Sequence, residues 1–281
     1  TKDMCSHQYV QQVNQISATN AKRSWYDSYN KANIYGLKPN YACCLSNMHQ
    51  GFPKFAEHLA FASDKNTLSL LSLVPMQINT NILGKEVSLE VISDYPFKNN
   101  AIIKVAKGQL NLRIRIPENA KSVFIDFKKY TGDYAEIAVK DGQKITVSYD
   151  FDIVKKKNFD GSVSYYYGNL LLALPILPNV VYKEQDNLFS DREMSTDTMW
   201  NYAPDDIQGF TVVEKNITSE PFATPPISFK IKGYEIPNWK EKNNQAAPVP
   251  KEFVKGQETL LTLVPYGSTV LRIAHFPEIK Y

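Results

Sequence analysis

The sequence is poor in cysteine, in long apolar stretches and in net charge, and each shortage excludes a class of protein. Its three cysteines, Cys5, Cys43 and Cys44, are too few and too unevenly spaced for the disulfide framework of a small secreted domain. The longest apolar run, 170–178, contains two prolines and is far shorter than the roughly 20 residues of a membrane-spanning helix. The 32 basic and 29 acidic residues are spread along the chain, whereas nucleic-acid binders concentrate positive charge in a patch. We therefore expect neither a membrane nor a nucleic acid as a partner.

The composition is that of a globular protein with two differently patterned parts. Apolar residues make up 43% and charged residues 22% of the 281 residues, unlike the low hydrophobicity and high charge of disordered chains. Before residue 64 the chain is rich in glutamine, asparagine, alanine and histidine, and its apolar residues are irregularly placed. Beyond residue 66 the apolar residues follow a period of two. This change of pattern predicts a domain boundary near residue 66.

One helix is predicted in the first part, over Ser46–Ala62. Its apolar residues recur at three- and four-residue steps, which predicts a single buried stripe of Phe52, Phe55, Ala56 and Leu59. Ser46 is the expected N-cap. Pro53 lacks the backbone donor that a helix interior requires, so it either delays the start of the helix to about Phe52 or kinks it.

The second part of the chain is predicted to consist of β-strands. In 110–116 and in 145–153, apolar residues alternate with polar ones, as in strands that are buried on one face. Further strands are predicted over 68–74, 87–93, 101–105, 123–127, 164–174, 210–213, 227–231, 259–264 and 269–275. Turn signals such as Asp141-Gly142 separate these strands and no helical pattern intervenes. We therefore predict a mainly β protein built of antiparallel, jelly-roll-like β-sandwiches.

Two adjacent cysteines, Cys43 and Cys44, stand at the start of the predicted helical region. Backbone N–H groups and the helix dipole stabilise negative charge at such a position, which favours the thiolate form. A thiolate is the form required of both a nucleophile and a zinc ligand. Cysteines outside disulfides are more often small buried hydrophobic residues, and the dipeptide alone favours that second interpretation.

A polar cluster over 7–14, His-Gln-Tyr-Val-Gln-Gln-Val-Asn, offers several hydrogen-bonding groups with few apolar residues between them. Sugar-binding sites are built from such groups, but so are polar surface turns. The cluster by itself leaves both interpretations open.

Several motifs together resemble those of a known family. They are His7-Gln-Tyr-Val-Gln-Gln-Val-Asn-Gln15, Leu37-Lys-Pro-Asn-Tyr-Ala-Cys-Cys44, Asn47-Met-His-Gln-Gly-Phe-Pro-Lys-Phe55, Ser93-Asp-Tyr-Pro-Phe97, Leu112-Arg-Ile-Arg-Ile-Pro117, Trp200-Asn-Tyr202, Ile236-Pro-Asn-Trp239 and Leu263-Val-Pro-Tyr-Gly267. In the same order they resemble landmarks of the bacterial β-L-arabinofuranosidase-like proteins of glycoside hydrolase family 127. The two cysteines followed by Asn-Met-His-Gln-Gly are the most specific part of the resemblance.

The resemblance implies a fold and a domain arrangement. Family members carry the active site in an (α/α)6 helical barrel, which β-sandwich domains follow. Residues 1–63 would then be the end of the barrel, 64–183 a first sandwich and 184–281 a second, with the last strands returning to the first. The chain would thus correspond to the C-terminal half of such a protein.

The resemblance also implies a mechanism, a cofactor and site residues. The reaction is retaining, with a zinc-bound cysteine thiolate as nucleophile and a glutamate as acid/base. By position, Cys43 matches the nucleophile and zinc ligand, Cys44 matches a second zinc ligand, and Tyr9 matches a tyrosine that holds the sugar. His7 and His49 are candidate neighbours of the substrate. The expected partner is a furanoside glycan, and the expected location is periplasmic or extracellular, with the cytoplasm as the alternative.

The chain departs from the family in one respect. In the family, a Glu-x-Cys motif supplies the remaining zinc ligands, and both this motif and the acid/base glutamate lie on barrel helices upstream of the motifs matched here. Cys5 does not fit that motif, since residue 3 is aspartate. We therefore expect the chain to begin after these residues and to be inactive alone. An apolar stripe without its barrel partners would favour a homodimer through residues 1–63, or disorder there. The alternative function is a noncatalytic β-sandwich module that binds carbohydrate or supports another chain.

Overall fold

The computed structural model describes residues 1, 6–24, 30–38, 41–63, 65–183 and 190–280, and β-strands predominate in them. The helices are α1 (Ala42–Met48) and α2 (Gly51–Glu57), and single 3₁₀ turns cover Asn30–Asn33, Asp206–Gln208 and Tyr266–Ser268. The strands are, in chain order, β1 (Asn14–Gln15), β2 (Ala60–Ser63), β3 (Thr67–Leu70), β4 (Met76–Ile82), β5 (Lys85–Ser93), β6 (Asn100–Lys107), β7 (Leu110–Arg115), β8 (Ala120–Ile125), β9 (Lys128–Tyr130), β10 (Tyr134–Val139), β11 (Lys144–Phe151), β12 (Ile153–Lys157), β13 (Val163–Tyr167), β14 (Leu170–Ile176), β15 (Asn179–Tyr182), β16 (Arg192–Ser195), β17 (Tyr202–Pro204), β18 (Thr211–Glu214), β19 (Ile227–Glu235), β20 (Glu241–Lys242), β21 (Gln245–Ala246), β22 (Glu258–Pro265) and β23 (Leu271–Ile273).

The chain divides into two compact units. The terminal unit comprises 1–46, 155–166 and 170–281, and the central unit comprises 47–154 and 167–169. The mainly β, antiparallel architecture predicted from the sequence is confirmed. Because the units interleave along the chain, they do not test the sequential division at 63 and 183, which stays a prediction. In the part of the chain that the structure describes, no helix has the length and hydrophobicity of a membrane span.

The central unit is a sandwich of two sheets. One has the strand order β4-β5-β6-β11-β8-β9, and the other has the order β10-β7-β3-β2. Neighbouring strands are antiparallel except β3 and β7, which are parallel with Leu68 opposite Leu112. Alternation along β7 buries Leu110, Leu112 and Ile114, and these side chains share one apolar core with Ile103 and others of the facing sheet. Apolar residues at every second position of the strands therefore form the core of the central unit.

The terminal unit is organised around one large sheet with the path β1-β23-β14-β22-β19-β17, to which β12, β13 and β18 are added. Short two-stranded sheets, β15-β16 and β20-β21, accompany it. β1 pairs with β23, so that Asn14 lies opposite Ile273. The first and last described strands of the chain thus lie side by side, and the chain before β1 is held at this edge.

The single helix predicted over Ser46–Ala62 is wrong in its bounds. α1 ends at Met48 and α2 begins at Gly51, where Pro53 falls in the first turn and its missing N–H costs nothing. Ser46 is not an N-cap, because it lies inside α1 and its hydroxyl donates to the carbonyl oxygens of Ala42 (2.9 Å) and Cys43 (3.1 Å).

The predicted buried stripe is also wrong. α2 ends at Glu57 because β2 pairs with β3 and requires extended backbone. Phe52 is 76% exposed and Phe55 is 49% exposed, whereas Leu59 is buried. Within the central unit these phenylalanines therefore present an apolar surface.

Two of the predicted strands are shorter than the alternation suggested. The segment 164–174 forms two strands, β13 and β14, since Gly168 turns the chain with φ 54°. The segment 123–127 ends at Ile125, because Asp126 and Phe127 both have positive φ and form the two-residue turn between β8 and β9. In the second case the apolar Phe127 at the turn made the strand look longer in the sequence than it is.

Candidate functional site

The first turn of α1 carries the two adjacent cysteines. Tyr41 precedes the helix with φ 49°, and its carbonyl oxygen accepts hydrogen bonds from the backbone N–H groups of Cys44 (3.1 Å) and Leu45 (3.3 Å). The helix therefore starts where the sequence placed the pair. Both thiols are exposed, and the distance between the Sγ atoms of Cys43 and Cys44 is 3.8 Å. Exposure argues against the interpretation of the pair as buried hydrophobic residues.

Tyr9 lies against this pair although it is far away in the sequence. Its hydroxyl oxygen is 3.5 Å from the Sγ atom of Cys44. Its ring stacks on that of Tyr41, with centroids 4.4 Å apart and planes inclined by 28°. The structure thus brings together Tyr9, Cys43 and Cys44, and the roles that the family resemblance implies for them stay predictions.

Tyr41 also belongs to this site, although no role was predicted for it from the 37–44 motif that contains it. A bulky residue with positive φ is uncommon and costs on the order of 1 kcal/mol or more. Here that conformation starts α1 and places the ring under Tyr9. An aromatic residue directly before the two cysteines was the available signal.

The hydroxyl of Tyr9 keeps its proton in this arrangement. The hydrogen bond with Cys44, followed by the repulsion from its thiolate form, raises the pKa of Tyr9 above its usual 10.0. A protonated phenol can donate a hydrogen bond to a thiolate or to a hydroxyl oxygen of a bound molecule. Tyr9 therefore supplies a donor beside the thiols.

Two other polar side chains of the 7–14 cluster, Gln8 and Asn14, form hydrogen bonds within the fold. Gln8 is buried and its Nε2 donates to the carbonyl oxygen of Asn33 at 2.6 Å. The Nδ2 atom of Asn14 donates to the carbonyl oxygen of His275 at 2.8 Å, and its Oδ1 accepts from two backbone N–H groups. His7 is half-buried and its backbone forms a bridge with Gly36. Internal hydrogen bonds thus occupy Gln8 and Asn14, and Tyr9 is the member that reaches the thiols.

The remaining candidates are placed elsewhere or not described. His49 is exposed in the turn between α1 and α2, within the central unit. Its place beside the substrate, like that of His7, stays a prediction. Cys5 lies outside the described residues.

The two thiols fit part of a zinc site. Two sulfur ligands at 2.3 Å from one tetrahedral zinc are about 3.75 Å apart, and the Sγ atoms of Cys43 and Cys44 are 3.8 Å apart. Structural zinc takes four protein ligands, and catalytic zinc takes three. Among the described residues, however, no group of three histidine, cysteine or acidic side chains is arranged to hold a metal. The described residues therefore supply two matching ligands and not a complete set.

Comparisons with known proteins find relatives at the level of structure. No family model and no curated protein matches the sequence. A β-L-arabinofuranosidase of glycoside hydrolase family 127 from Geobacillus stearothermophilus T6 superposes on 92% of the chain with a TM-score of 0.57 and 14% identity. A protein described as a glycoside hydrolase matches 97% of the chain (TM-score 0.64, 15% identity), and a family-127 β-arabinofuranosidase matches 94% (TM-score 0.57, 17% identity).

The chain shares the fold of these proteins. The resemblance noted in the sequence is thereby confirmed for the fold, over nearly the whole length of the chain. The chain spans only 38%, 44% and 41% of the three matched structures, respectively. Its fold therefore matches part of each of these longer structures.

Proposed function

We propose that the chain is the β-rich part of a retaining glycoside hydrolase that resembles the β-L-arabinofuranosidases, with Cys43 as nucleophile. One observation carries the proposal: within a fold shared with family-127 structures, two exposed thiols 3.8 Å apart lie beside the hydroxyl of Tyr9. The proposed substrate is a furanoside glycan. A bacterial source and export to the periplasm or the outside of the cell belong to the same proposal.

The arrangement suits a two-step displacement. In a retaining glycosidase a nucleophile attacks the sugar and forms a covalent intermediate, which water then hydrolyses. A thiolate can replace the usual carboxylate if it is ionised at neutral pH. Cys43 would form the bond to the sugar, and Cys44 would be the second ligand of a zinc ion. When bound, the metal keeps its coordinating thiols deprotonated.

Tyr9 is proposed to orient the sugar. Its raised pKa leaves a proton on the hydroxyl, which can donate to a sugar oxygen next to Cys44. Stacking on Tyr41 fixes the ring, so the donor is positioned before substrate arrives. Replacing Tyr9 with phenylalanine would remove the donor and keep the stacking.

Metal binding by the purified chain tests the thiol site. Cobalt(II) is the probe, because thiolate ligands give it an intense near-ultraviolet absorption. We expect this absorption with the unmodified chain and with C5S, and its loss with C43S or C44S. Equal absorption by all four proteins would overturn the site, since the metal would then be bound elsewhere.

Activity provides the second test. Because the two thiolates found among the described residues leave a zinc site at least one protein ligand short, we expect the 281-residue chain alone not to hydrolyse an aryl β-L-arabinofuranoside. Turnover by this chain at a rate abolished by Cys43→Ala would contradict that expectation and support the nucleophile. Turnover unaffected by Cys43→Ala would overturn the nucleophile itself.

A second candidate function, glycan binding without catalysis, is favoured by a groove in the central unit. This groove, of about 710 Å³, is lined by apolar side chains and by serine, asparagine and threonine, among them Ile92, Asn100, Phe124, Phe127 and Thr146. Phe127 is 96% exposed at a turn position that glycine usually occupies. Exposed aromatic rings beside hydroxyl and amide groups are suited to stacking on sugars and bonding their hydroxyls.

Affinity electrophoresis through a gel that contains soluble arabinan tests this candidate. Retardation of the chain that F127A abolishes would support it. The matched control is F159A, which removes an equally exposed phenylalanine from the terminal unit and should leave the retardation unchanged. Identical mobility with and without arabinan would exclude the candidate for this glycan.

A further inference from the structure

A cavity in the terminal unit has a buried arginine in its wall. Its volume is about 520 Å³, and its lining includes Tyr35, Phe222, Tyr266 and Arg272. Binding sites for small molecules have volumes of roughly 300–1,000 Å³. The cavity is therefore large enough for a sugar-sized ligand, and it uses neither the thiols nor the groove of the central unit.

Arg272 is only 2% exposed, and neutral groups hold its guanidinium in place. Its Nε atom donates to the hydroxyl of Thr269 (2.9 Å), and its Nη1 atom donates to the carbonyl oxygen of Gln12 (2.6 Å). The guanidinium carbon lies 4.3 Å from the ring centroid of Tyr266, and the hydroxyl of Tyr266 donates to the same carbonyl oxygen of Gln12 (3.3 Å). These contacts fix the plane of the guanidinium.

No carboxylate among the described residues forms an ion pair with Arg272, and the further group close enough to bond to its guanidinium is the neutral hydroxyl of Tyr35 in the cavity lining. The acidic residue in the cavity lining is Glu220, which is exposed and forms no ion pair with Arg272. A buried charge is costly unless a counter-charge and hydrogen bonds compensate for it. Among the described residues Arg272 has hydrogen bonds but no counter-charge, so the cavity is suited to binding an anion.

The groups around Arg272 indicate which class of anion fits the cavity. A fixed, planar guanidinium matches the two oxygens of a carboxylate. Aromatic side chains line the cavity: Tyr266 lies against the guanidinium, and the ring of Phe222 covers the backbone of the Tyr266–Ser268 turn, 3.2 Å from where a Cβ atom on Gly267 would stand. Aromatic faces suit the apolar face of a sugar ring. We propose that this cavity binds a carboxylate-bearing sugar, of the uronic acid class, through Arg272.

A purely structural role for Arg272 makes a different prediction. In that case the side chain only attaches the segment before β1 to β23 through the carbonyl oxygen of Gln12, and the cavity binds no anion. The two roles are distinguished by changing the ligand, which leaves the fold intact.

Isothermal titration with D-galacturonate is the decisive experiment, with its methyl ester and D-galactose as neutral counterparts and acetate as a carboxylate without a sugar. We expect binding of galacturonate, with each of the other three at least about tenfold weaker. Binding of the ester as tightly as the acid would overturn the role of the charge. Acetate as tight as galacturonate would overturn the assignment to a sugar, and no binding of galacturonate at about 10 mM would overturn the site.

A pair of variants assigns the binding to Arg272. R272Q should abolish galacturonate binding, while R115Q, which removes an exposed arginine from the central unit, should leave it unchanged. If R272Q does not fold, the side-chain Nε–H resonance of Arg272 in the unmodified chain is followed instead. It should shift during titration with galacturonate and not with the ester, and a resonance unmoved by both would refute the site.

Discussion

Replacing the exposed Phe127 by glycine is expected to stabilise the central unit, although it removes a large apolar side chain. Phe127 occupies the second position of the two-residue turn between β8 and β9, with φ 69°, after Asp126 with φ 45°. Positive φ at both positions is the type I′ turn, for which Asp-Gly is a preferred pair. Because the phenylalanine is 96% exposed, its removal sacrifices almost no burial.

The size of the effect follows from two opposed contributions. A side chain in the left-handed region costs roughly 1–2 kcal/mol, which glycine avoids. Glycine also gains freedom in the unfolded chain, which offsets about 0.4–1 kcal/mol of that benefit. The free energy of unfolding of the central unit should therefore rise by about 0.5–1 kcal/mol.

The measurement must report on the central unit alone. The sequence ranges of the central unit, 47–154 and 167–169, contain no tryptophan, so tryptophan fluorescence does not follow its unfolding. Native-state hydrogen exchange of peptides from β8 and β11 reports on the central unit. An increase of 0.5–1 kcal/mol in its free energy of unfolding corresponds to exchange about two- to fivefold slower. Tryptophan-detected unfolding should stay unchanged.

Phe159 provides the matched control. It is equally exposed but has no positive φ, so F159G only increases the freedom of the unfolded chain and should destabilise its own unit. Exchange in β8 and β11 that becomes faster in F127G would refute the reasoning, because it would mean that the phenylalanine contributes to folding. If the glycan-binding candidate is correct, the more stable variant is also the one that loses arabinan binding, a common exchange of stability for function.

Two further predictions concern acidity and association. Burial, opposed by the charge of Asp160, lowers the pKa of His275 below 6.5, so the folded chain binds its proton less readily than the unfolded one; stability is full above pH 6.5 and falls as the pH drops below it. In urea titrations followed by tryptophan fluorescence, H275Q should lose less stability than the unmodified chain between neutral and acidic pH, and equal losses would contradict the assignment. Phe52 is 76% exposed, so the expected homodimer through residues 1–63 should dissociate in F52D during sedimentation. An unmodified chain that sediments as a monomer, with residues 1–63 protected from proteolysis, would contradict dimerisation.

The strands were predictable wherever burial on one face imposed strict alternation. β7 and β11 lie where the sequence predicted strands, because Leu112 and Ile145 point into a core while their neighbours face solvent. The helix over 46–62 was not predictable from its apolar spacing. That spacing is shared by exposed phenylalanines and by β2, whose conformation depends on pairing with β3.

The candidate site was predictable only in its local part. Two adjacent cysteines near the start of a helix can be seen in the sequence, but α1 begins at Ala42, four residues before the predicted start at Ser46. Tyr9 and Cys44 are 35 residues apart in the sequence. Their contact depends on the pairing of β1 with β23, which positions the segment before β1. No local pattern encodes such a contact, and only the family resemblance suggested it. The conformation of Tyr41 was missed because the signal for positive φ is usually glycine or asparagine.

The pairing of β1 with β23 has a consequence for biosynthesis. Asn14 and Ile273 are separated by 259 residues of chain, which a ribosome translating at about 5–20 residues per second needs roughly 13–50 s to produce. During that interval the segment that carries Tyr9 lacks its C-terminal partner strand, while Cys43 and Cys44 have already been synthesised. The nascent thiols are therefore expected to need a reducing environment, or a chaperone, until the last strand arrives.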